Sequence, residues 1–309
     1  MTSHIRGEGN SLAASVQEVV EIGRRAGVGV NVSHFKVTGL QNFGAGLERA
    51  IAVLEQARAQ GQDVTADAYP YPAGSTTILS LVPPTVLEAA GGDTLGFLTT
   101  ERGCRLLEQE VQKDFPHWDN MVYSIGWDRI RISSVIEERD RPLSGLSFAQ
   151  AARQEGLSEA ELFCRLLADN GSRVGVILMS MDPADVDRVL TLPYVSVISD
   201  SLYGGGDMPH PRLYGSFPKF LREYVREKGL LSLEEAVAKM TALPARRLGL
   251  GDRGVLAPGK KADVLLFDPA SFTDRATFSE PKQLSAGLWK VFVNGREPEQ
   301  LPGQVVSRS

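Results

Sequence analysis

Only two cysteines, Cys104 and Cys164, occur in 309 residues. A disulfide framework is therefore excluded; one bridge is arithmetically possible, and two reduced thiols are the simpler expectation. No apolar run approaches the ~20 residues that a membrane-crossing helix requires. The opening stretch, Met1-Thr2-Ser3-His4-Ile5-Arg6-Gly7-Glu8, has no apolar signal core. Blocks of like charge are missing too: 33 Lys and Arg stand against 38 Asp and Glu, for a net charge of −5. That balance speaks against a nucleic-acid or anionic-membrane surface. The expected location is the cytoplasm. What remains is a globular composition, 42% hydrophobic and 23% charged, with ample material for a core.

The first 80 residues alternate helix and strand signals. Leu12, Val16, Val19, Val20 and Ile22 mark a helix that Ser11 could cap and Gly27 would end. A β-rich run follows from Val28 to His34, then a helix over about Ala45 to Gln60, then a strand from Asp63 to Tyr69. Such βα repetition implies a parallel sheet. Residues 80 to about 172 break the rhythm and read as an insertion over the mouth of the fold, with one strand-like stretch from Ile130 to Ile136. Regular signals return at Val174 to Met179. A further strand, Tyr194 to Ser199, ends in Asp200, and a glycine-rich loop is expected over 201–206. Helices are expected at Pro218 to Glu227 and from Ser232, where Ser232 and Glu235 can form a capping box. After Gly254 the character turns to β.

Four histidines are present: His4, His34, His117 and His210. His4, His34 and Asp67 recur at intervals of about 30 residues, the length of one βα unit. They are therefore expected at equivalent C-terminal strand ends, the edge at which α/β folds gather catalytic and ligand-binding groups. Two imidazoles and a carboxylate suit zinc, which lowers the pKa of bound water and polarises a carbonyl. Asp200, at the end of an apolar strand, is either a general base and acid or a loop cap.

An ordered series of short motifs makes a resemblance specific. His4-Ile5-Arg6-Gly7-Glu8-Gly9, Ser33-His34-Phe35-Lys36, Asp67-Ala68-Tyr69-Pro70-Tyr71 and Ala73-Gly74-Ser75-Thr76 lead it. Ser199-Asp200, His210-Pro211-Arg212-Leu213-Tyr214-Gly215-Ser216-Phe217-Pro218, Lys239-Met240-Thr241, Pro244-Ala245, Asp252-Arg253-Gly254 and Ala262-Asp263 complete it. From about Ser3 to Gly295 the chain resembles the N-acyl-D-amino-acid deacylase (D-aminoacylase) family of the amidohydrolase superfamily.

The resemblance implies an α/β fold: the C-terminal half of a (β/α)8 TIM-type barrel over 1–250, with the insertion at about 80–172. Residues 251–309 are then the C-terminal part of a small β-sandwich domain. It implies zinc-dependent hydrolysis of N-acyl-D-amino acids to a carboxylate and a free D-amino acid. In that reading His4 and His34 are metal ligands of barrel strands five and six, and Asp200 is the strand-eight general base and acid. Lys36, Tyr69 and Arg212 hold the substrate carboxylate through charge-assisted hydrogen bonds; without the resemblance, Lys36 and Arg212 would read as solvated charge. His210 is expected to position the loop before Arg212, and His117 to be incidental.

The chain departs from the family pattern in one respect. The His-X-His of a first barrel strand and an early cysteine ligand do not occur, and Cys104 falls in the insertion. The sequence is thus expected to be a fragment or one half of a two-chain enzyme, partnered by the missing half. The alternatives are a non-catalytic remnant, or an amidohydrolase acting on a cyclic amide or a dipeptide.

Overall fold

The computed structural model describes residues 1–201, 206–300 and 303; most of the glycine-rich loop, 202–205, lies outside them. The described strands are β1 (Thr2–Ser3), β2 (Val30–Val32), β3 (Val64–Ala68), β4 (Gly74–Thr77), β5 (Ile130–Ser134), β6 (Gly175–Leu178), β7 (Val195–Val197), β8 (Val264–Phe267) and β9 (Leu288–Phe292).

Apolar residues at helical spacing build α1 (Leu12–Ala26), whose buried face is Leu12, Val16, Val19, Val20 and Gly23. Gly23 is required by close approach: a Cβ there would lie 2.1 Å from Val30 Cγ2. Gly27, at φ 64°, ends the helix in the left-handed conformation. Ser11 makes no side-chain cap bond, because its backbone (φ −94°, ψ 8°) lacks the extended conformation that a capping serine adopts. The second helix, α2 (Ala45–Ala59), packs beside α1.

Both helices cover one face of a four-stranded sheet ordered β1-β2-β3-β7, parallel throughout. Ser3 is level with Val32, Val32 with Ala66, and Ala66 with Val195. This is an open βα arc of the kind found in part of a (β/α)8 barrel. Val30, Val32, Val64, Ala66, Val195 and Val197 join α1 and α2 in the main core. The alternate residues Asn31, Thr65, Asp67 and Ser196 face the other way, as the period of a strand requires. Thr65 Oγ1 donates to Asn31 Oδ1 (2.8 Å) and Asn31 Nδ2 to Asp67 Oδ2 (2.6 Å). The inner face of the arc is thus a hydrogen-bonded polar surface.

Between β3 and β7 the chain builds a second core around Phe148, Leu162, Phe163, Ile130, Ile132 and Val176, on an antiparallel sheet ordered β4-β6-β5. Strand β6, expected to resume the βα alternation, is the central strand of this sheet. A strand buried on both faces has the same apolar run in either setting, so periodicity could not tell them apart.

The helix expected from Pro218 begins earlier, over Arg212–Phe220, and continues as a π-helix over Leu221–Glu227. Pro218 cannot donate to the carbonyl of Tyr214; the Ser285 hydroxyl donates to it instead (3.3 Å). Ser232 and Glu235 form the expected capping box at the start of Leu233–Met240. Beyond it β8 and β9 pair antiparallel, with Leu265, Leu266 and Trp289 exposed. Among the described residues no helix is long and apolar enough to cross a membrane.

Candidate metal centre

His4 follows β1, His34 follows β2 by one residue beyond Ser33, Tyr69 follows β3, and Asp200 lies just past β7. Parallel register therefore delivers all four to the C-terminal edge of one sheet. His4 Nδ1 stands 2.9 Å from His34 Nε2. Two imidazole nitrogens each roughly 2.0–2.1 Å from one tetrahedral zinc stand about 3.3 Å apart, so a small relaxation lets the pair share an ion. Together with Glu8 they form the one cluster among the described residues whose donor atoms lie close enough to hold a metal, all within 4.8 Å of one another. The donor set fits zinc.

Glu8 was not assigned a role by the sequence pattern, although its place four residues after a strand-end histidine was the available signal. Its Oε1 lies 3.0 Å from His34 Nδ1, the ring nitrogen opposite the one facing His4, and 4.0 Å from His4 Nδ1. Burial works against the Glu8 charge, but Lys36 and His34 outweigh it and hold the carboxyl down at about 2. The Glu8 and Gly9 amides donate to Asp119 Oδ2 at 2.5 and 2.9 Å. Asp119 comes from the insertion, two residues after the exposed His117, so the insertion pins the His4–Gly9 loop.

Asp67 does not join the donor cluster. Its Oδ1 accepts the backbone N–H of His34 (2.6 Å), while Oδ2 is taken by Asn31. That bond anchors His34 in a left-handed conformation, φ 39°. Asp200 is likewise left-handed, φ 49°; such positions cost non-glycine residues about 1–3 kcal/mol and cluster at functional sites.

Lys36, Tyr69 and Arg212 are brought together. Lys36 Nζ is 5.9 Å and the Arg212 guanidinium 4.7 Å from the Tyr69 ring centroid. Arg212 Nη1 pairs with Asp200 Oδ2 at 2.9 Å. Burial raises the Tyr69 pKa against the opposing pull of Lys36 and Arg212, so its phenol remains a donor. Lys36 is fully engaged: its three N–H groups reach Glu8 Oε1 (2.5 Å), His34 Nδ1 (2.8 Å) and the His34 carbonyl (3.0 Å). Burial acts to lower its pKa, but Glu8 and other anions raise it on balance, so it stays charged. His210 is a support for this group. Its Nε2–H donates to the Ala73 carbonyl and its Nδ1 accepts the Arg212 amide, both at 3.0 Å, which fixes the neutral tautomer beneath Arg212.

Comparison with known proteins places these observations. The Amidohydrolase family model matches residues 195–297. The chain is 37% identical over 313 residues to an N-acyl-D-glutamate deacylase of Alcaligenes xylosoxydans xylosoxydans, covering 99% of this chain and 54% of that protein. It is 37% identical over 293 residues to a D-aminoacylase of the same organism, covering 95% and 50%. Among solved structures, the N-acyl-D-glutamate deacylase of Bordetella bronchiseptica, complexed with zinc and a phosphonate mimic of the tetrahedral intermediate, superposes with a TM-score of 0.76 at 37% identity. The match covers 98% of this chain and 53% of that one. The chain spans about half the length of the curated relatives it matches.

Proposed function

We propose that the chain, 37% identical to an N-acyl-D-glutamate deacylase and to a D-aminoacylase about half of whose length it spans, is a member of the N-acyl-D-amino-acid deacylase family and carries part of a zinc-dependent deacylase site. It would release a carboxylate and a free D-amino acid from an N-acyl-D-amino acid, with the remaining ligands supplied by polypeptide corresponding to the relatives' other half. The observation that carries this reading is the 2.9 Å approach of His4 Nδ1 and His34 Nε2 at adjacent strand ends.

His4 and His34 hold the ion. A zinc ion there supplies a water of lowered pKa and polarisation of the acyl carbonyl. A ligating histidine normally gives its other N–H to a carboxylate, and Glu8 stands 3.0 Å from His34 Nδ1 to accept it. With that nitrogen protonated, Lys36 loses its contact there and regains one N–H for the substrate. Arg212, with five N–H donors and one committed to Asp200, keeps capacity for the same carboxylate, and the Tyr69 phenol donates beside it. Asp200 takes the proton of the attacking water at Oδ1, the oxygen not held by Arg212, and passes it to the leaving amine. Two free thiols agree with a cytoplasmic setting.

Equilibrium dialysis against zinc tests the metal assignment. The chain should bind one ion weakly, and His34→Ala and His4→Ala should each abolish that binding. Binding untouched by both substitutions would end the reading. Adding the polypeptide that completes the barrel should strengthen zinc binding and restore hydrolysis of N-acetyl-D-amino acids, and Asp200→Asn should then remove turnover without removing the metal.

A further inference from the structure

The chain between β8 and β9 leaves their sheet and lies against the helix that Arg212 opens. Thr273 and Ala286 exchange backbone hydrogen bonds at 3.0 and 2.9 Å, which closes residues 273–286 into a strap. Polar contacts seat it. Arg222, in the π-helical continuation, donates to Asp274 from Nε (2.8 Å) and Nη2 (3.4 Å). The Ser285 hydroxyl donates to the Tyr214 carbonyl (3.3 Å). Gly215 admits the close approach: a Cβ there would lie 2.7 Å from Tyr71 Oη and 3.1 Å from Asp274 Cβ. Within the strap, Phe278 packs against a small cluster of Tyr69, Tyr71 and Met181. Its ring meets the His210 imidazole nearly at right angles, 5.1 Å between centroids at 74°. Tyr71 meets the same imidazole at 5.1 Å and 89°.

Edge-to-face contacts fix both the place and the turn of an aromatic ring. The His210 ring needs that fixing, because Nε2 is committed to the Ala73 carbonyl and Nδ1 to the Arg212 amide. That amide belongs to the first residue of the helix, and from there the Arg212 side chain reaches Tyr69 and Asp200. Phe278 has no polar atom to offer substrate or metal, so its effect on the site runs through the imidazole. Resting on the deacylase reading, we infer that Phe278 is a positioning residue for the substrate carboxylate: it holds His210, and His210 holds Arg212. The β8–β9 connection is thereby part of the recognition apparatus for that carboxylate. Truncating the ring lets water reach the imidazole and compete for both of its hydrogen bonds, which frees the Arg212 end of the helix.

Isothermal titration of the zinc-loaded full chain tests this, with N-acetyl-D-leucine as ligand and N-acetyl-D-leucinamide as its counterpart without the carboxylate. Phe278→Ala should weaken N-acetyl-D-leucine about tenfold, the effect of one charge-assisted hydrogen bond. Phe278→Tyr, which keeps the ring, should restore the affinity. The amide should bind wild type and Phe278→Ala alike, and zinc affinity should not change; general loosening of the fold would move all three. In chain labelled with nitrogen-15 histidine, the shielded Nε2–H of His210 is identified by its absence in His210→Gln. Its signal should be lost to solvent exchange in Phe278→Ala. Should Phe278→Ala fail to fold, Phe278→Leu carries the same test with a smaller loss. Undiminished binding of N-acetyl-D-leucine to the variant, or equal losses for acid and amide, would overturn the inference. The deacylase reading would still stand if Arg212→Gln abolished binding of the acid. Absence of binding to wild type would overturn both.

Discussion

Mild acidification should weaken the fold of this protein through His210. The ring is buried against Tyr71 and Phe278, with centroids 5.1 Å away in each case. Burial, and secondarily the Arg212 charge, push its pKa from 6.5 down to about 3. A histidine whose folded pKa is depressed binds fewer protons in the native than in the unfolded state. Its contribution therefore diminishes as pH falls through 6.5 and continues to diminish until about 3. At 1.36 kcal/mol per unit, acidification from pH 7 to pH 5 should cost about 2 kcal/mol through this one side chain. Other buried groups titrate as well: burial raises Asp119, for example, although the Glu8 and Gly9 amides partly oppose it. The comparison must therefore be differential. His210→Gln cannot titrate and gives up the ring packing, so it should be less stable than wild type at pH 7. The gap should narrow by about 2 kcal/mol at pH 5, measured by urea unfolding at both pH values. A gap that stays constant would show that His210 is charged in the fold, and the account of its hydrogen bonds to Ala73 and Arg212 would be wrong.

The remaining predictions concern packing and anchoring. Asp140 is fully buried and accepts from Arg165 Nη1 (2.9 Å) and Asn170 Nδ2 (2.7 Å); Asp140→Ala should cost about 1–3 kcal/mol in chemical denaturation, because Arg165 keeps Asp169 and Glu155 and Asn170 keeps the Leu166 carbonyl. Gly23→Ala, which helix propensity alone would favour by up to about 1 kcal/mol, should instead destabilise by about 1–3 kcal/mol, because the new methyl overlaps Val30; a raised melting temperature would contradict the close approach. Asp119→Ala should weaken zinc binding about tenfold in competition with a chelator, since it releases the amides of Glu8 and Gly9.

Much of the arc was legible because each element carried one clear period. The heptad-like spacing of Leu12, Val16, Val19 and Val20 and the stop at Gly27 located α1, and the interval from His4 to His34 to Asp67 located the strand ends. The failures have local causes. Ser11 has the right chemistry for a cap and the wrong backbone angles. Pro218 looks like a helix start until Ser285, 67 residues later, is seen to serve the carbonyl it cannot. Asp67 shares the interval of the histidines, but the adjacent Asn31 and the His34 amide claim both of its oxygens. Asp119 was illegible in principle, because its partner amides lie 110 and 111 residues away across two cores.

These anchors bear on how an arc of four strands can hold a site at all. His34 and Asp200 both occupy left-handed backbone conformations, which persist only where surrounding bonds over-determine them. His34 is fixed by Asp67, which Asn31 fixes in turn, and Asn31 is tied to Thr65. Asp200 is tied by Arg212, whose amide is bonded to His210, and His210 to Ala73. Every link runs between β2, β3 and the segments that follow β2, β3 and β7. The polar inner face of the sheet is therefore the scaffold of the two strained residues as well as a surface open to the rest of a barrel. Completion of the barrel would then add ligands and exclude water, with the orientation of His34 and Asp200 already set.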